Sequence, residues 1–188
     1  MQAVSDDMSV IEKGIEALIS NAKLYINSRQ EEEFDVLNRN IRMLRIELDS
    51  LYDNEKTVSR PNNILILNII SKIISKFEES LSLLDEIKNI KPIYREIDTR
   101  YMLDVLLRNI KILISYKDKK GSIDKEKLRS DLELVKSLRD QHKRILITYL
   151  MQDWQNLNQV LILMKISEIY KTIAEELIDF FLFSIGEK

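Results

Sequence analysis

Apolar residues recur three and four positions apart along almost the whole chain, and the runs are separated only by short polar breaks. Val10, Ile11, Ile15, Leu18, Ile19, Ala22 and Ile26 form one stripe, and Phe34, Leu37, Ile41, Leu44, Leu48 and Leu51 form another. This spacing places each set on one face of an α-helix and leaves no alternating pattern for a strand. The chain also contains only 3 glycines and 2 prolines in 188 residues, so little in it would stop a long helix. The spacing predicts an all-α fold of six long antiparallel helices, over about 5–27, 31–55, 61–89, 93–117, 125–150 and from the "MQDWQN" break to 185. Asp6 or Ser5 is expected to cap the first, Glu31–Glu33 to favour the dipole of the second, Pro61 to open the third, and Ser122 or Asp124 to cap the fifth.

The breaks fall in similar places in both halves, which suggests an internal repeat. An offset near 94 residues superposes the stripes. Ile11, Ile15, Leu18 and Ile19 meet Leu106, Ile110, Leu113 and Ile114. Phe34, Ile41, Leu44 and Leu51 meet Leu128, Val135, Leu138 and Ile145. Ile69, Ile70, Lys72, Ile73 and Phe77 meet Ile162, Leu163, Lys165, Ile166 and Tyr170. The expectation is two tandem three-helix bundles, residues 1–90 and 91–188, joined at Pro92 into one pseudo-symmetric domain.

Several functions are disfavoured by composition. Lys and Arg number 29 against 31 Asp and Glu, interleaved to a net charge of −2, so no clustered basic face marks a nucleic-acid site. With no cysteine, thiolate metal sites, disulfides and cysteine nucleophiles are absent. The apolar run over 64–74 is broken by Asn68, Ser71 and Lys72 and falls short of the ~20 residues of a membrane span. The N-terminus has acidic residues ahead of its apolar part, and a cytoplasmic protein is expected. His142, the one histidine, has neither a Glu-x-x-His partner nor the company a triad needs; it matches Leu48 in the repeat and is expected at the edge of the core. An enzyme is therefore not expected.

Two stretches carry a more specific likeness. "KTVSRPNNILILNII" sets a proline just before a third helix, and "LMKISEIYKTIAEELIDFF" sets a lysine–isoleucine step before a carboxylate-rich end. In these, and in its tandem three-helix units, the chain resembles the PhoU family. The resemblance implies a non-enzymatic adaptor or regulator of phosphate uptake or signalling, with a transporter ATPase or a sensor kinase as protein partner. It also implies the option of an iron or zinc cluster held by Glu-x-x-x-Asp pairs on the third helices. Positions i and i+4 share a helix face, so such a pair can reach one cation. With "MKIS" set against the family's lysine–isoleucine step, the pair falls near Lys171 and Glu175; a shift of four residues instead places it on Glu175 and Asp179, which form an intact pair. In the first half Leu81 and Asp85 occupy the pair, and Arg42 and Arg45 stand on the second helix where acids are wanted, so loss of the metal is expected.

Asp49 and Asp53, with Glu47 beside them, are expected to form a solvated face. Lys117, Lys119 and Lys120 lie in a loop that could touch an anionic partner. Trp154, Tyr149 and Tyr170 offer an exposed aromatic anchor as one reading, but Trp154 is expected to pack at the bundle end beside the helix break. Phe180, Phe181 and Phe183 cannot all face one core and are the candidate protein-contact patch, also suited to a homodimer. The alternative to an adaptor is a helical packing subunit of a larger nucleoprotein assembly.

Overall fold

The computed structural model describes residues 3–28, 30–58, 61–90, 99–116 and 124–184. They form six α-helices: α1 (Ala3–Ser28), α2 (Glu31–Val58), α3 (Pro61–Glu86), α4 (Arg100–Tyr116), α5 (Lys125–Gln152) and α6 (Leu157–Ser184). A single 3-10 turn, Trp154–Asn156, links α5 to α6, and no strand occurs among the described residues. α1 begins ahead of Ser5 and Asp6, which stand in its first turns and are not its cap. α3 ends in a turn over 87–89, and α4 is described from Arg100; the expected start of the fourth helix near 93 lies outside the described residues. The Pro92 junction, Ser122 and the loop lysines Lys117, Lys119 and Lys120 lie outside the described residues.

Contacts group Met1–Glu78 with Leu107–Ser122 in one unit, and Glu79–Leu106 with Ile123–Lys188 in a second. This grouping divides α3 at Glu78 and α4 at Leu106, whereas the expected division near residue 90 lies just past the turn that ends α3.

In the first unit α1 and α2 form a hairpin. Gln30 closes it by accepting from the Glu33 and Phe34 amides at 3.2 Å, and the Ser28 hydroxyl accepts from the Gln30 amide at 3.2 Å and donates to Glu33. The Glu31–Glu33 carboxylates sit in the first turn of α2, where the helix dipole favours them. Ile11, Ile15, Leu18, Ile19, Leu37, Ile41 and Leu44 are buried along the seam. Tyr25 is fully buried, its ring 5.3 Å from that of Phe34 at an interplanar angle of 41°. Arg45 forks onto Glu78, with Nε 2.7 Å from Oε1 and Nη2 bonded to Oε2, and the same Nη2 reaches Ser75 Oγ at 3.2 Å. The Glu78 hydrogen bond leads the effects that hold the guanidinium pKa above its ordinary value.

Gly14 lets α1 approach α2 closely. A Cβ there would overlap Leu44 Cδ2 and lie 3.0 Å from Leu44 Cγ, so rotating one methyl would not relieve the clash. Alanine's helix propensity favours Gly14→Ala by about 1 kcal/mol, but overpacking costs about 1–3 kcal/mol. Gly14→Ala is expected to destabilise the fold by about 1 kcal/mol net. The same change made in a Leu44→Ala background is expected to stabilise it, and a double-mutant cycle by urea unfolding measures this reversal.

In the second unit α5 and α6 form the principal hairpin. Leu128, Val135, Leu146, Val160, Ile166, Tyr170, Ile173 and Leu177 are buried. Burial agrees at most positions paired by the 94-residue offset. Ile11, Ile15, Leu18 and Ile19 are buried, as are Leu106, Ile110, Leu113 and Ile114; Ile70, Ile73 and Phe77 match Leu163, Ile166 and Tyr170, and Lys72 and Lys165 are both exposed. The exceptions fall mainly on α5, where Leu138 and Ile145 are half-buried opposite the buried Leu44 and Leu51.

Candidate functional site

The α5–α6 hairpin carries the features that packing explains least. Asp124 caps its start, accepting from the Lys127 amide at 3.0 Å. Asp153 makes its corner. The Asp153 amide donates to the Tyr149 carbonyl at 3.0 Å, which ends α5, and its carboxylate accepts from the Gln155 amide at 3.0 Å and from Asn156 Nδ2 at 2.9 Å, which starts the 3-10 turn. One short acidic side chain thereby reverses the chain without a glycine.

Around this corner large apolar side chains are exposed, interleaved with exposed Gln152, Asp153, Gln155 and Asn158. Met151 is 84% and Trp154 76% exposed, with Ile147, Leu157 and Leu161 between 41% and 54%. The expectation that Trp154 packs at the bundle end is therefore corrected. The tight Asp153 corner places the indole on the 3-10 turn between the two helices, where it is exposed. From Ile145 to Met164 the one charged residue is Asp153.

Deeper in the hairpin, His142 is buried, and its Nδ1 is hydrogen-bonded to Ser167 Oγ. Ser167 in turn reaches the Leu163 carbonyl at 3.0 Å. If the hydroxyl proton goes to that carbonyl, the ring donates from Nδ1. Burial pushes the imidazole pKa down to about 4, so the ring is neutral near neutral pH. The edge-of-core expectation for His142 is corrected to the core itself. Ser167, paired by the offset with Ile74, gives the imidazole the partner that makes burial tolerable.

Arg139 and Glu168 bridge the same two helices, and further ion pairs lie within each helix. Arg139 meets Asp140 at 2.9 Å and Glu168 at 3.4 Å, while Lys171 meets Glu168 at 2.8 Å and Glu175 at 3.3 Å. The Lys171 bond leads the effects that hold the Glu168 carboxyl pKa below its ordinary value. The Glu168 bond likewise leads those that raise Lys171. Glu175 of the expected metal pair is thus held by an ammonium group, and Asp179 is exposed. In the first half Leu81 is buried, and Asp85 pairs with Lys88 at 2.9 Å. Among the described residues no three metal-ligating side chains come together. Asp49 and Asp53 are exposed on α2, with Glu47 half-buried beside them.

Of the expected contact patch, Phe181 is fully buried and belongs to the core. Phe180 is half-buried, edge-on to Phe181 with ring centroids 5.9 Å apart at 67°. The Phe183 side chain lies outside the described residues. The surface signal that sequence reading passed over was the charge-poor stretch around Asp153.

No helix among the described residues is long and apolar enough to cross a membrane. Comparison with protein-family models, with curated proteins and with solved structures finds no match to the chain.

Proposed function

We propose that the chain is a non-enzymatic, PhoU-like helical adaptor with tandem three-helix units, acting on phosphate uptake or signalling through protein contacts in the cytoplasm. The observation that carries this reading is a set of exposed apolar side chains on α2, interleaved with exposed Arg39 and Ser50. Val36, Met43 and Ile46 are 38%, 54% and 61% exposed and fall within one arc of the helix. Apolar side chains aligned on an outer helix face form a surface on which a partner helix can lie, and methionine adapts to an imprecise fit. The resemblance names a transporter ATPase or a sensor kinase as that partner. The buried His142 also supports a non-catalytic reading, since its ring is spent on Ser167 inside the core.

The test is a photo-crosslinking residue in place of Met43, followed by capture from cells grown with and without phosphate. The expected product is a transporter ATPase or sensor kinase, and it is lost when Ile46→Lys is added. Crosslinks confined to nucleoprotein components would overturn the adaptor reading and favour a packing subunit.

A further inference from the structure

The exposed end of the α5–α6 hairpin has a layered chemistry. Met151 and Trp154 stand at its outer end. Ile147 lies five residues back from the end of α5, and Leu161 four residues into α6. At 1.5 Å per residue the apolar cap is roughly 8 Å deep. Above it come cations. Arg144 lies eight residues before Gln152 and Lys165 eight residues after Leu157, each roughly 12 Å along its helix. Lys143 is beside Arg144. All three are exposed, and Lys165 also meets Glu79 at 3.4 Å.

Over Lys143–Lys165 there are three cations and one carboxylate, in a chain whose net charge is −2. That carboxylate, Asp153, is occupied by the two hydrogen bonds that make the corner. The remaining polar groups of the corner, Gln152, Gln155, Asn156 and Asn158, are uncharged.

We propose that this hairpin end docks on an anionic lipid surface. Met151, Trp154 and Leu157 enter the headgroup layer, and Arg144, Lys143 and Lys165 reach the lipid phosphates. An apolar face inserted by about 5–10 Å below a ring of cations is the arrangement by which a protein lies on a bilayer without spanning it. Tryptophan is the side chain best suited to that boundary, because its ring is apolar and its N–H stays hydrogen-bonded. The excess of cations over carboxylates on this segment, in a chain of net charge −2, complements an anionic lipid surface.

Trp154 is the one tryptophan of the chain and reports directly on the site. The intact chain is titrated with vesicles of equal parts phosphatidylglycerol and phosphatidylcholine. The indole emission is expected to shift to the blue, and pure phosphatidylcholine vesicles are expected to give a much smaller shift. Combining Met151→Asp with Leu161→Asp is expected to weaken vesicle binding at least about tenfold. Both side chains are exposed, and unchanged circular dichroism would verify the fold. Replacing Lys143 and Arg144 by Gln is expected to weaken binding to the anionic vesicles several-fold and to reduce its salt dependence. An emission unmoved by anionic vesicles would overturn the proposal, as would an unchanged affinity in the aspartate variant. A shift produced by a purified partner protein and not by vesicles would also overturn it and assign the surface to protein.

Discussion

Phe181→Ala is expected to lower stability by about 3–5 kcal/mol, the range for emptying the space of a buried aromatic ring. Phe181 is fully buried on α6, among Ile173, Ala174, Leu177 and Ile178, which are also buried. Helical spacing explains the placement. Phe181 continues the stripe of Ile173, Ala174, Leu177 and Ile178, whereas Phe180 falls beside it and is half-buried. Phe180→Ala is therefore expected to cost clearly less, losing part of an edge-on ring contact worth about 0.5–1.5 kcal/mol and a fraction of its burial. Urea unfolding of the two variants makes the comparison. Equal and small losses would return Phe181 to the surface and restore the aromatic tail as a contact patch.

The second large effect is a loss of stability in mild acid that belongs to His142. Its folded-state pKa lies near 4, below the unfolded value of 6.5. The unfolded chain therefore takes up a proton first as pH falls. The stability in question is complete above about pH 6.5, declines between there and about pH 4, and is gone below it. At 1.36 kcal/mol per unit the loss approaches about 3 kcal/mol, with about 2 kcal/mol gone by about pH 5. This window lies mostly above that of the carboxylates. Glu168, whose pKa is depressed, loses its contribution only at lower pH. His142→Leu is expected to remove the window. Leucine matches Leu48 at the paired position, and Ser167 keeps its bond to the Leu163 carbonyl. Urea unfolding of both proteins between about pH 7 and about pH 4.5 should show the wild type losing stability that the variant keeps. Parallel curves would mean that the imidazole titrates normally and is open to water.

Periodicity carried the helices because the stripes are long and glycine and proline are rare. The expected start of the fourth helix near 93 lies outside the described residues, where α4 is seen from Arg100 with the Leu103 amide donating to the Thr99 carbonyl. Where periodicity erred, the causes are local. His142 was displaced from its true depth because one sequence position does not reveal its partner. Ser167 is 25 residues away and reads as an ordinary polar residue of α6. Trp154 was misjudged for a related reason. Burial of a large ring near a helix break depends on how sharply the chain turns, and that was set by both hydrogen-bonding ends of Asp153. The Glu175–Asp179 pair shows what spacing alone leaves out. Glu175 and Asp179 do share a face, but Lys171, one turn earlier, supplies Glu175 with a cation of its own.

The central claim is that the α5–α6 corner presents exposed apolar side chains, and Trp154 tests it most directly. The measurement is the tryptophan emission of the free protein, with acrylamide quenching. An exposed indole predicts red emission and efficient quenching, both close to those of the unfolded chain. A blue, weakly quenched emission in the free protein would contradict the account, because it would place the corner inside the core or under another part of the chain.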